Sequence, residues 1–283
     1  MKALVGQLAT RRFIDSPVFV VGTNRSGTSI LLRALGAHPL VWGSSGEAPL
    51  MAMLAEVPDR LEHSQFAGYY AENLQMSKGY LYASLRRLCF EYALGANYGW
   101  ERAEKGFRSG DFSVLKKRYW SAKIFPEESH CRGLRLLFPG LKFVYITRNG
   151  IEVVHSRTKF AGFRDLDFEE HCRVWASSFR LFGHLASAQD AILVRHEHLV
   201  ADAGAVLHEV FDFLGIGADT RPVTLVRTTL AIPLDEHDSV GVDARQILQT
   251  RRPPYEGWTP QQRSTFKDIA GDAMIRAGYE IPF

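Results

Sequence analysis

Five short runs along the chain are apolar and rich in β-branched residues: Val18–Val21, Leu40–Trp42, Ser121–Phe125, Lys142–Thr147 and Ala191–Arg195. Their apolar positions are near-continuous rather than alternating, which is the pattern of strands covered on both faces in a parallel sheet. Between them the spacing changes to that of helices. Ile30–Ala37 follows the first run; Cys172, Trp175, Phe179, Phe182 and Leu185 form a stripe within 168–188. Val206, Leu207, Val210, Phe211 and Leu214 form another within 204–214. Phe266, Ile269, Ala270, Ala273 and Met274 form the last, with Gly278 as a stop signal. Strands alternating with helices predict an α/β fold: three layers, with a central parallel sheet of about five strands flanked by helices.

Two stretches depart from that rhythm. Residues 64–110 are rich in aromatics and helix-like, without a strong strand, and predict a helical insertion of roughly 50–115 within a single domain spanning 1–283. Such an insertion either roofs a pocket or serves core packing. Residues 228–258 have no clean periodicity, and a long irregular segment in a compact domain is commonly functional or mobile.

Composition narrows the classes. Hydrophobic residues make up 46% and charged residues 23%, as in a soluble globular protein, and the net charge of +3 is too small for a nucleic-acid stripe while leaving room for a local basic pocket. Three cysteines, Cys89, Cys131 and Cys172, have no metal-ligand spacing and read as buried, reduced thiols. No carboxylate cluster calls for a metal. No apolar run reaches membrane-spanning length and the start has no convincing signal peptide, so the expected location is the cytoplasm. Nothing in the sequence sets an oligomeric state.

Chemistry enters at "GTNRSGTS", Gly22–Ser29, between the first strand and its helix. The outline is that of a P-loop, G-x-x-x-x-G-K-[ST], but Thr28 stands where the lysine belongs. Gly27 permits close backbone approach, the helix start points free N–H groups at an anion, Thr28 and Ser29 add hydroxyls, and Arg25, beside Ser26 within the loop, adds a positive charge. Without the lysine, affinity for a triphosphate falls, but a nest for one phosphate remains. The alternative is an ordinary glycine-rich strand–helix turn.

A second phosphate site fits "KFVYITRNGIEVVHSR". Arg148 closes a strand and Ser156 lies eight residues on, two turns into a helix. Taken alone, an arginine after a strand is more often a surface ion pair. If the strands are parallel, the loop, Glu47, Lys123, Arg148, Arg195 and His196 all gather at one sheet edge, beyond the strands' carboxyl ends, where ligands bind in such folds.

"TNRSGTS" resembles the 5′-phosphosulfate loop of sulfotransferases that use 3′-phosphoadenosine 5′-phosphosulfate (PAPS), with Asn24 where that family usually has proline. The Arg148–Ser156 pair is similar to the family's 3′-phosphate motif, with Gly150 in place of a usual proline, as in the branch that sulfates protein tyrosines. "VRHEHLV" is similar to the family's V-R-Y-E-D-L-V, with His196 where a tyrosine tends to sit near the nucleotide. The likeness covers roughly 17–280.

The resemblance implies a P-loop-like fold and transfer of a sulfuryl group from PAPS to an acceptor hydroxyl on a small molecule, sugar, lipid or peptide tyrosine, without a metal. It makes Glu47 the candidate base, after "AHP" and "GE"; the other reading of Glu47 is a carboxylate at a helix N-terminus. Lys123 would offset charge on the leaving oxygen beside Arg25, or is a surface lysine. Arg251 and Arg252 would close over the 3′-phosphate, and His130, His155 and His237 are rival bases. Nucleotide-kinase-like chemistry and a non-catalytic nucleotide-binding protein of the same fold are the alternatives.

Overall fold

The computed structural model describes residues 11–95, 99–186, 189–230 and 253–283. Its centre is a five-stranded sheet of β1 (Pro17–Gly22), β2 (Val41–Glu47), β3 (Tyr119–Lys123), β4 (Lys142–Thr147) and β5 (Ala191–Arg195). Every pairing is parallel, in the order β2-β3-β1-β4-β5. All five carboxyl ends therefore share one edge, and β1, carrying the loop, lies in the middle.

Both faces of the sheet are covered, which is why its strands read as continuous apolar runs. Val18 and Val20 of β1, with Val144 and Ile146 of β4, pack against α2 (Thr28–Ala37), α11 (Ala203–Phe213) and α12 (Thr220–Leu230) through Leu31, Leu35, Leu207, Phe211 and Val226. Phe19, Val21, Phe143 and Tyr145 point the other way. They meet α3 (Pro49–His63), α5 (Lys78–Gly95), α7 (Glu128–Leu137) and α9 (Phe168–Ala186). Phe19 is the hub of that layer, edge-on to Trp120 at 5.7 Å and 6.0 Å from Phe143. Its truncation to alanine would cost about 3–5 kcal/mol. A third cluster joins α8 (Gly150–Lys159) and α9 to α13 (Pro260–Arg276) through Val153, Trp175, Phe266 and Met274.

The remaining helices are α1 (Arg11–Ile14), α4 (Ala67–Asn73), α6 (Gly99–Arg108) and α10 (His196–Ala201). Among the described residues, the aromatic-rich stretch after β2 carries α4, α5 and α6. Boundaries differ from the sequence pattern most at three elements. The second strand continues past Trp42 to Glu47, with an irregular register between Gly43 and Glu47, because β2 is an edge strand and tolerates glycine and serine. The third runs Tyr119–Lys123 rather than 121–125. The last helix starts six residues before its apolar stripe, where Thr259 and Gln262 form a capping box on either side of Pro260.

All three cysteines are free and buried, and burial pushes each thiol up to about 12. Among the described residues no helix is long and apolar enough to cross a membrane. Arg251, Arg252, His237 and residues 231–250 of the irregular segment lie outside the described residues.

Candidate functional site

The loop after β1 is wound tightly. Arg25 has φ 74° and Gly27 φ 100°, so two left-handed residues frame Ser26. Ser26 holds the turn from within: its amide donates to the Thr23 carbonyl at 3.1 Å and its hydroxyl to the same oxygen at 2.6 Å. Gly27 is the N-cap of α2, and no side chain caps that end. The first amides of this ten-residue helix therefore face the loop without intrahelical acceptors, the arrangement that receives an anion. A side chain at position 27 would meet the ring of His196, whose Cδ2 lies 2.6 Å from where a Cβ would sit. The glycine is thus required by a neighbouring imidazole as well as by its φ.

Arg148, at the end of β4, lies against this loop. Its Nη1 reaches the Arg25 carbonyl at 3.5 Å and its Nη2 pairs with Glu152 at 3.2 Å. Arg25 in turn donates from Nε to the Ser156 hydroxyl at 3.1 Å, with its guanidinium 5.0 Å from the centre of the Phe160 ring. The two motifs, 131 residues apart in sequence, are in direct contact.

The backbone around Arg148 is fixed by residues to which the sequence assigned no part in the site. Trp175 donates from Nε1 to the Arg148 carbonyl at 3.1 Å. Asn149 caps α8 by accepting from Ile151, and its own amide donates to Glu197 at 2.8 Å. Glu197 also accepts from the Tyr279 hydroxyl at 2.9 Å, and burial with this carboxylate pushes the phenol up, keeping it a donor. A Cβ on Gly150 would sit 2.9 Å from both Trp175 and the Met274 sulfur, so this helix start admits only glycine. The glutamate in "RHEH" was visible in the sequence; its partners were not.

On the other side of β1, Lys123 and Glu47 are register partners at the ends of β3 and β2. Lys123 is 7% exposed, so it is no surface lysine. Its Nζ donates to the Ser29 hydroxyl at 3.1 Å and lies 3.4 Å from Glu47 Oε1. The Glu47 side chain is 54% exposed and does not cap α3, whose N-cap is Ala48 without a side-chain hydrogen bond. The carboxylate thus faces both solvent and a buried ammonium. Thr28 is buried at the first position of α2, and a threonine brings no positive charge in place of the P-loop lysine.

His196 starts α10 directly after β5. Burial, then the Arg148 charge, hold it near pKa 4, against the opposing pull of Glu197, so it is neutral near neutral pH. Arg195 turns away, donating to the Ala277 carbonyl at 2.5 Å. Of the rival histidines, His130 accepts from the Glu127 amide as part of a capping box, a structural duty, and His155 lies on α8.

The Sulfotransferase family model matches residues 17–220, well over half of the chain. No curated protein matches this sequence. Among solved structures, the chain is similar to the sulfotransferase domain from the Synechococcus PCC 7002 olefin synthase: 17% identity, TM-score 0.53, covering 94% of this chain and 96% of that one. It is also similar to the sulfotransferase domain from the curacin biosynthetic pathway: 17% identity, TM-score 0.50, covering 95% and 100%. Mouse sulfotransferase SULT7A1 complexed with PAP matches at 14% identity and TM-score 0.48, covering 96% and 89%. At such identities the likeness is one of fold: a parallel five-stranded sheet between helices, with a P-loop-like turn after its central strand.

Proposed function

The chain belongs to the sulfotransferase family, and on that premise we propose that it is a PAPS-dependent enzyme transferring a sulfuryl group to an acceptor hydroxyl. One observation carries the reading. The loop, Arg148–Ser156 and the Lys123–Glu47 pair adjoin one another at the carboxyl edge of a single sheet. The residues present fit such a donor: an uncapped helix start, three cations and two hydroxyls suit a nucleotide with phosphate at both ends.

When bound, PAPS supplies the activated sulfuryl group. The α2 amides with Arg25 would take its 5′ end, and Arg148 with Ser156 its 3′-phosphate. His196, held neutral between Gly27 and Arg148, would offer the nucleotide a polar edge without adding charge. Glu47, reachable from solvent, would accept the acceptor's proton as the new bond forms. Lys123, buried beside it, would hold positive charge where the leaving oxygen develops negative charge. The "GE" and "RNG" sequences support kinship with the tyrosine-sulfating branch at the donor and base positions, and leave the acceptor open among phenols, sugars and lipids. Arg251 and Arg252 are proposed to close over the 3′-phosphate. Free, buried thiols are in keeping with a cytoplasmic protein.

Calorimetric titration with PAP and ATP, beside transfer of labelled sulfate from PAPS to a panel of hydroxyl acceptors, tests the reading. Tighter binding of PAP than of ATP, with label transfer, supports it. PAP binding no tighter than ATP, with no rise in melting temperature, would sink it.

A further inference from the structure

Arg157 follows Ser156 on α8 but turns inward, and at 2% exposure it is among the largest fully buried side chains. A buried guanidinium is costly unless a carboxylate pairs with it. Among the described residues none does: the Glu170 charge reaches it without an ion pair, and burial holds its proton affinity below the usual range. Its contacts run to the loop instead. Nη1 donates to Asn24 Oδ1 at 3.4 Å, the guanidinium lies 4.3 Å from the centre of the Phe163 ring, and Nε has no partner. His171, also buried, has its Nδ1 unpartnered and is kept neutral by burial and by the Arg157 charge. A polar group with no acidic partner thus stands behind the phosphate loop.

Asn24 immediately precedes Arg25, whose φ of 74° is sterically unfavourable for a side chain of that size. Asparagine does not restrict its own φ as a proline would. Arg148 and Ser156 reach Arg25 itself, and the hydrogen bond from Arg157 is positioned to hold the residue before it. We propose that Arg157, acting through Asn24, is a positioning residue for the donor loop, fixing the left-handed turn at Arg25 and coupling the loop to α8. This rests on reading the loop as the PAPS site. It explains why a buried cation is kept without a carboxylate: the charge sits behind a loop whose ligand would be an anion.

The test is a double-mutant cycle of Asn24→Ala, Arg157→Met and their combination, with Arg157→Lys as the charge-conserving control. PAP affinity is read by calorimetry. Amide hydrogen exchange at Ser26, whose N–H bonds within the loop, is read without nucleotide. Arg157→Met is expected to weaken PAP binding about tenfold. The double variant should be no weaker than the worse single one, because the residues act as a unit. Ser26 exchange should quicken in all three, and Arg157→Lys should recover part of the affinity. Wild-type affinity and exchange in Arg157→Met, with only a lower melting temperature, would make Arg157 a packing residue and overturn the proposal, as would additive losses. Should Arg157→Met not fold, Asn24→Ala decides alone by the same two readouts. Failure of the wild type to bind PAP would sink the functional reading, while Ser26 exchange would still decide the anchor.

Discussion

The two halves of the candidate site are built differently. On the Arg148 side the groups around the arginine are tied together: Arg148 touches the loop and Glu152, its carbonyl is held by Trp175, and Asn149 is tied through Glu197 to Tyr279 at the far end of the chain. On the Glu47 side a half-exposed carboxylate meets a buried lysine and little else. The helices that follow it carry large exposed apolar side chains, among them Met53 at 64% and Tyr80 at 67%. The difference teaches where invariance is physically demanded. A donor that is always the same molecule suits a pre-assembled cradle, because ordering costs are met during folding rather than binding. A surface that must meet the acceptor has no such network, which is why the fold identifies a donor more readily than an acceptor.

The sharpest way to break the contrast is at Glu47. Glu47→Gln keeps the shape but removes the proposed base, and should lower kcat about 10²–10⁴-fold. PAP affinity should stay within a factor of about two, because Glu47 belongs to the loosely built half. If kcat were unchanged, the base would have to be sought elsewhere; if PAP binding collapsed instead, the Glu47–Lys123 contact would belong to the cradle.

Arg148→Ala should show the opposite split. It removes the proposed charge-assisted contact to the 3′-phosphate and should weaken PAP binding about 30–100-fold, with a smaller effect on AMP, which lacks that phosphate. Equal losses for both nucleotides would show that Arg148 supports the loop through the Arg25 carbonyl rather than reading the 3′ end.

Gly27→Ala probes the cradle's tolerance. The new Cβ would demand φ 100° of an alanine and strike the His196 ring, so stability should fall by about 2 kcal/mol. Adding His196→Ala should recover the part due to the clash and leave the backbone strain. Chemical denaturation of the three proteins measures both components.

How far the sequence could lead follows from what each feature depends on. Strands β1, β4 and β5 were legible because a run covered on both faces has to be apolar, and the sheet's closed layers require that. The far end of β2, "GSSGE", was not, because edge pairing to β3 supplies what its glycines and serines lack. The loop and Arg148 were visible as motifs, and Glu47 and Lys123 as strand-end residues. Their contacts depend on parallel register, which places residue 25 beside residue 156 and residue 47 beside residue 123. Arg157 was illegible for a different reason: it looks like a solvent-facing basic residue near a helix end, and only the packing of α8 beneath the loop shows that it is buried.

The subtlest expected effect, because it emerges only on acidification, tests whether the cradle is built around a neutral imidazole. His196 has a folded pKa near 4, below the ordinary histidine value, so above about pH 6.5 both folded and unfolded chains hold it neutral and it contributes nothing to pH dependence. As pH falls below that value, the unfolded chain binds a proton that the folded one refuses, and stability drops until the folded pKa is passed. His38 and His171 are also lowered by burial and push in the same direction, so the wild type alone does not isolate His196. The difference from His196→Gln does. Between pH 7 and 4.5 the wild type should lose about 2 kcal/mol more unfolding free energy than the variant. Saturating PAP should shrink that gap, because a phosphate opposite Arg148 offsets the positive charge that disfavours protonation. Parallel pH curves for the two proteins would mean that His196 is not held neutral between Gly27 and Arg148, and that the donor half is less rigidly assembled than its contacts imply.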